Sequence, residues 1–182
     1  MARRNVGTPV QSEPVLHEIR MLYALAESFE TRALDGAVKD LPDEGMPFRN
    51  AAVDSFLLHA RQLIEFFTGR YNRDLVADHF TRGEWIPPID LGDLHLRLSK
   101  AIHLSGWRAG STEDQRRVFF RTIIDTLTPE VRRFLEAADP DRLCPGFVDK
   151  VQAALGDSHP SPMAEVRISS TGTTAGTATP RR

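Results

Sequence analysis

The stretch Phe48 to Phe67, FRNAAVDSFLLHARQLIEFF, constrains this chain more than any other. At 100° per residue, Val53, Phe56, Leu57, Ala60, Leu63, Ile64 and Phe67 fall in one arc about 120° wide, the core-facing stripe of an amphipathic helix. One flank of the arc carries Asp54, Arg61 and Glu65. The other carries Ser55, His59 and Gln62 beside Ala52 and Phe66. A single helix cannot bury its own stripe, so the rest of the chain must supply helices that cover it. The charged flank reads as ordinary surface ion pairs, and His59 as a histidine at the core margin, hydrogen-bonded to a neighbouring helix.

Several other segments have helical spacing. Val15, Ile19, Leu22, Leu25, Ala26, Phe29 and Ala33 predict a core helix that begins after Ser12, with Pro14 in its opening turn. Leu34 to Pro47 holds two glycines and two prolines among charges and reads as a loop. Gly69 suits a left-handed C-terminal cap for the central helix. Asn72 is expected to cap a short helix with Leu75, Val76 and Phe80, and Trp85 to Pro88 must be extended.

A helix from Leu91 to about Trp107 follows, with Asp90 as N-cap and Asp93 in its first turn. It is apolar on two sides. Leu91, Leu94, Leu98, Ala101 and Ile102 form one arc, with His95 at its margin, while Leu96, Leu104 and Trp107 lie opposite with Lys100 and His103. The second side is therefore either core or a subunit interface, and Leu96, Lys100, His103, Leu104 and Trp107 are the candidate interface residues of a homodimer.

Thr112 and Gln115 have the spacing of a capping box. Phe120, Ile123, Ile124 and Leu127 continue in phase into Val131, Phe134, Leu135 and Ala138, so Pro129 marks either a kink in one helix or a tight break between two. Phe147, Val151, Ala154 and Leu155 predict a last helix that ends at Gly156. The expected fold is all-α, an irregular bundle of four to six helices with disordered termini: an arm over 1–12, a single helical domain over 13–156, and a Ser/Thr/Gly/Pro-rich tail over 157–182.

Composition narrows function more than it identifies it. The 182 residues are 41% hydrophobic and 26% charged, as in ordinary globular proteins. The formal charge of −2 offers nucleic acid or anionic lipid no overall attraction. It also argues against an adaptor reading nucleic acid through Arg116, Arg117, Arg121, Arg132 and Arg133. No stretch is long and apolar enough to span a membrane, and no signal-peptide core follows Arg3 and Arg4, so a cytoplasmic location without membrane contact is expected.

The one cysteine, Cys144, sits in a Leu-Cys-Pro-Gly turn and reads as a loop thiol. P-loop, dinucleotide, HExxH and GxSxG motifs are absent, so no cofactor is expected. The six histidines include no i, i+4 pair and no Glu-x-x-His, so a metal site would need ligands brought together across helices, and none is expected.

The strings DSFLLHARQLIEFF, DLVADHF and KAIHLSGWR, over about Asp54 to Arg108, resemble a family of bacterial helical proteins, a resemblance that implies no activity. Arg97 and His103, separated by five residues, also resemble the Arg-x(4 to 6)-His motif of HEPN domains, small helical bundles many of which cleave RNA without metal and dimerise with their motifs facing. That resemblance implies a HEPN-like binding or regulatory module acting as a homodimer. The alternative is a metal-independent RNase of a toxin or defence system. In such chemistry His103 would exchange a proton with the ribose 2′-OH or the leaving oxygen, and Arg97 would stabilise charge on the phosphate. Leu98 stands where HEPN enzymes usually have a small polar residue. Arg97 and His103 lie about 120° apart on an ideal helix, so convergence on one phosphate needs a long reach or a second subunit.

Overall fold

The computed structural model describes residues 6–33, 45–69, 75–102 and 112–156. Five α-helices run through them: α1 (Pro9–Glu30), α2 (Gly45–Thr68), α3 (Leu91–Ile102), α4 (Glu113–Ala137) and α5 (Phe147–Gly156). Single 3-10 turns at Ala77–His79 and Pro140–Arg142 complete the all-α bundle. The tail over 157–182 and the first five residues of the arm lie outside the described residues.

α2 holds the centre it was expected to hold, but shares it with α1. The former packs on α1, α3 and α4, and the latter on α2, α4 and α5. Along α2, Phe56, Leu57, Ala60, Leu63, Ile64 and Phe67 are buried, while Val53 is only half-buried. The helix begins at Gly45, before the expected start, with Pro47 in its first turn where a missing N–H costs nothing. Gly69, at φ 63°, ends it in the left-handed conformation, and its N–H donates to the Glu65 carbonyl at 3.0 Å.

α1 starts at Pro9 rather than after Ser12. The Thr8 backbone N–H and hydroxyl donate to Gln11 Oε1 at 3.0 and 3.1 Å, and Pro9 takes a first-turn position. Ser12 is instead buried inside the helix. Its hydroxyl donates to the Pro9 carbonyl and accepts from the Cys144 N–H, both at 2.7 Å, which ties the loop before α5 to α1. Gly7 is also part of the folded body, because its N–H donates to the His79 carbonyl at 2.8 Å. The sequence pattern missed Leu16 and Tyr23, which are buried as well, while Ala33 at the end of the predicted arc is exposed.

α4 is one helix through Pro129. The proline and Asp125, whose carbonyl loses its i+4 partner, are both exposed, so water can take that place. Thr112 and Gln115 form the predicted capping box: Thr112 N–H donates to Gln115 Oε1 at 2.8 Å and Gln115 N–H to Thr112 Oγ1 at 3.2 Å. Near Pro129, the Thr128 hydroxyl donates to the Ile124 carbonyl at 2.8 Å, which leaves Tyr23 O–H as the donor in its 2.7 Å bond to Thr128. Burial pushes the Tyr23 hydroxyl up to about 12, with the Thr128 bond and Arg132 acting the other way.

Residues 84–88, ahead of α3, are non-helical, as Pro87 and Pro88 require. Residues 70–74, including the expected cap Asn72, lie outside the described residues, and the 3-10 turn follows an extended Val76 without a side-chain cap. Trp85 is buried. Its Nε1–H donates at 2.8 Å to the Phe67 carbonyl, one of the last four of α2 that no helical N–H can reach. Arg133 lies 3.9 Å from the ring centroid and donates through both terminal nitrogens to the Ile86 carbonyl at 3.0 Å. A short antiparallel bridge between Thr81 and Ala138 fastens this segment to the end of α4.

Candidate functional site

α3 carries the residues that the sequence singled out. Leu91, Leu94, Leu98 and Ala101 are buried, and α3 packs on α2. On its other side Leu96 is 56% exposed, and Arg97 and Lys100 are exposed with it. The Arg97 guanidinium lies 5.2 Å from the centroid of the Phe119 ring on α4, close enough for a cation–π contact. His103, Leu104 and Trp107, the remaining interface and catalytic candidates, lie outside the described residues, so the Arg97–His103 pair is only half placed.

The edge of α3 that turns back toward α2 holds a polar contact that the sequence did not predict. His95, 7% exposed, lies with Nε2 3.2 Å from Glu65 Oε1, and the same oxygen accepts from Arg61 Nε at 2.8 Å. Burial pushes the Glu65 carboxyl up. The hydrogen bonds and charges of Arg61 and His95 outweigh it and hold the group below the usual carboxylate range. Glu65 therefore contributes stability that is present above the ordinary carboxylate value, about 4.3, and is lost as pH falls through its lower folded value. In Glu65→Gln this acid-side loss should shrink, measured as unfolding free energy between pH 6 and pH 3. An unchanged profile would contradict the arrangement.

A second polar cluster joins α1 to α2. His59 is 8% exposed, and its Nδ1 lies 2.5 Å from Glu18 Oε2. The neighbouring-helix hydrogen bond expected for this margin histidine is thus made to α1. The Gln62 amide, with its nitrogen toward Glu18, donates to the carboxylate at 2.8 Å. The His17 ring meets His59 nearly edge-on, with centroids 5.8 Å apart and planes at 74°. Sequence periodicity had put Gln62 and His59 on one flank of α2. What it lacked was a signal pairing them with Glu18, 41 positions before His59.

Beside this cluster an open cavity of about 640 Å³ lies between α1 and α5, with Leu16, Met21, Tyr23, Ala153 and Ala154 among its walls and His17 and Lys150 on its border. Cys144 lies in the loop before α5, as expected of a loop thiol, and is buried there. Of the arginines weighed for nucleic acid, Arg133 is occupied by Trp85, Ile86 and Glu130, while Arg121 and Arg132 are exposed. Among the described residues no group of three or more His, Cys, Asp or Glu is placed to hold a metal ion, and no helix is long and apolar enough to cross a membrane. Compared with protein-family models, curated proteins and solved structures, the chain matches none.

Proposed function

We propose that this protein is a HEPN-like helical binding or regulatory module that works as a homodimer, with the outward side of α3 as the surface where two copies meet. The observation that supports it best is Leu96, a large apolar side chain 56% exposed on a helix whose opposite side is buried. Asp93 and Lys100 flank Leu96 at −3 and +4 on the same side of the helix. A two-fold pairing of antiparallel α3 helices would bring Asp93 toward Lys100 of the second copy, and the same contact recurs by symmetry.

Leu96→Asp tests the reading without touching the core. The side chain is exposed, so stability should stay within about 0.5 kcal/mol of wild type, while dimer affinity should fall at least about tenfold as two buried leucines become repelling carboxylates. An unfolded variant, or an undiminished dimer, would contradict the proposal.

The alternative reading, metal-independent RNA cleavage by His103 and Arg97, draws on the exposed position of Arg97 over Phe119, which leaves a guanidinium at the surface. It expects RNA cleavage by the wild type and none by His103→Ala. A wild type that leaves RNA intact would end it.

A further inference from the structure

We propose that His17 and His59 form a two-imidazole site that bridges α1 and α2 and takes a late first-row divalent cation, Zn2+, Ni2+ or Cu2+. The sequence left open only a site assembled across helices, and these two rings, 5.8 Å apart at their centroids, are brought together in that way.

The chemistry of His59 supports the assignment. A metal-bound histidine commonly gives its second ring N–H to a carboxylate, which fixes the tautomer and leaves the other nitrogen's lone pair for the metal. Glu18 takes that place on Nδ1, and the Gln62 amide in turn holds Glu18. Nε2 of His59 has no other hydrogen bond among the described residues. With His59 8% exposed, its ring is fixed by packing. His17 is exposed, and exposed side chains change rotamer in picoseconds to nanoseconds, so it can turn a ring nitrogen toward the same point.

Imidazole pairs suit Zn2+, Ni2+ and Cu2+ and not the oxygen-seeking Mg2+ or Ca2+. Among the described residues no group of three or more His, Cys, Asp or Glu is placed to hold a metal, so water would fill the remaining positions. Such a site is open and weaker than a four-ligand structural site. Because the ion would join α1 to α2, its binding stabilises their packing.

The test uses the full chain, untagged and treated with chelator, unfolded thermally in NiCl2, ZnCl2 or MgCl2. The Ni2+ or Zn2+ midpoint should rise about 5–10 °C at ion concentrations about a hundredfold above the dissociation constant, with no rise in Mg2+. His17→Ala, an exposed substitution, should melt like wild type without metal and lose the rise. Glu18→Gln should keep it only at about 10–100 times more ion. No rise in wild type, an equal rise with Mg2+, or an undiminished rise in His17→Ala would each overturn the proposal.

Discussion

Phe134→Ala is expected to lower the unfolding free energy by about 3–5 kcal/mol, measured by denaturant titration. Phe134 is fully buried where α2, the Trp85 segment, α4 and α5 come together. Its ring centroid lies 5.2 Å from Phe66, 6.1 Å from Phe67 and Trp85, and 6.2 Å from Phe147. Truncation removes four aromatic contacts at once and leaves a cavity that rigid rings cannot refill. Since small domains are stable by only about 5–15 kcal/mol, such a loss removes a large fraction of the total stability. Phe134→Leu, which keeps most of the volume, should cost clearly less. A loss below about 1 kcal/mol for the alanine variant would mean that these elements do not meet around Phe134.

Gly7→Ala is the second large effect, and it falls where the sequence gives no warning. A Cβ on Gly7 would stand 2.4 Å from Phe80 Cε1 and 2.7 Å from Cδ1. Neither side can yield easily. Phe80 is fully buried, and the Gly7 N–H is held by the His79 carbonyl at 2.8 Å. Forcing a methyl group into such a contact costs about 1–3 kcal/mol, readable as a lower denaturation midpoint with an unchanged slope. Gly83→Ala, with nothing within 4 Å of its Cβ, serves as the control and should be close to neutral. Equal behaviour of the two variants would contradict the close approach.

The contrast between Phe134 and Gly7 shows what this sequence discloses. The former belongs to a periodic stripe, and a stripe states which side of a helix is buried before any partner is known. Thus Phe56 to Phe67, Leu91 to Ala101, and the unbroken phase from Phe120 to Ala138 across Pro129 were legible as helices of an all-α bundle. Gly7 sits in a polar, aperiodic stretch, and the reason it must be glycine is Phe80, a residue far along the chain. Polar contacts were hidden for the same reason. Glu18 with His59 and Glu65 with His95 are pairs 41 and 30 positions apart, made by the way helices cross rather than by any local spacing. Helix starts moved by a few residues where prolines were tolerated in first turns, at Pro9 and Pro47, and where Ser12 found a partner in Cys144 instead of a helix end. For the candidate site, the two-sided pattern of α3 correctly marked Leu96 as lying apart from the core arc, while its exposure was not legible from spacing.

The most direct test of the proposed function is the solution mass of the untagged wild-type protein, measured by light scattering across a concentration series. One chain weighs 20.4 kDa. A mass of about twice that value, falling toward the single chain on dilution or in Leu96→Asp, is the expected result for a homodimer joined through α3. A single-chain mass at every concentration, with Leu96→Asp indistinguishable from wild type, would contradict it.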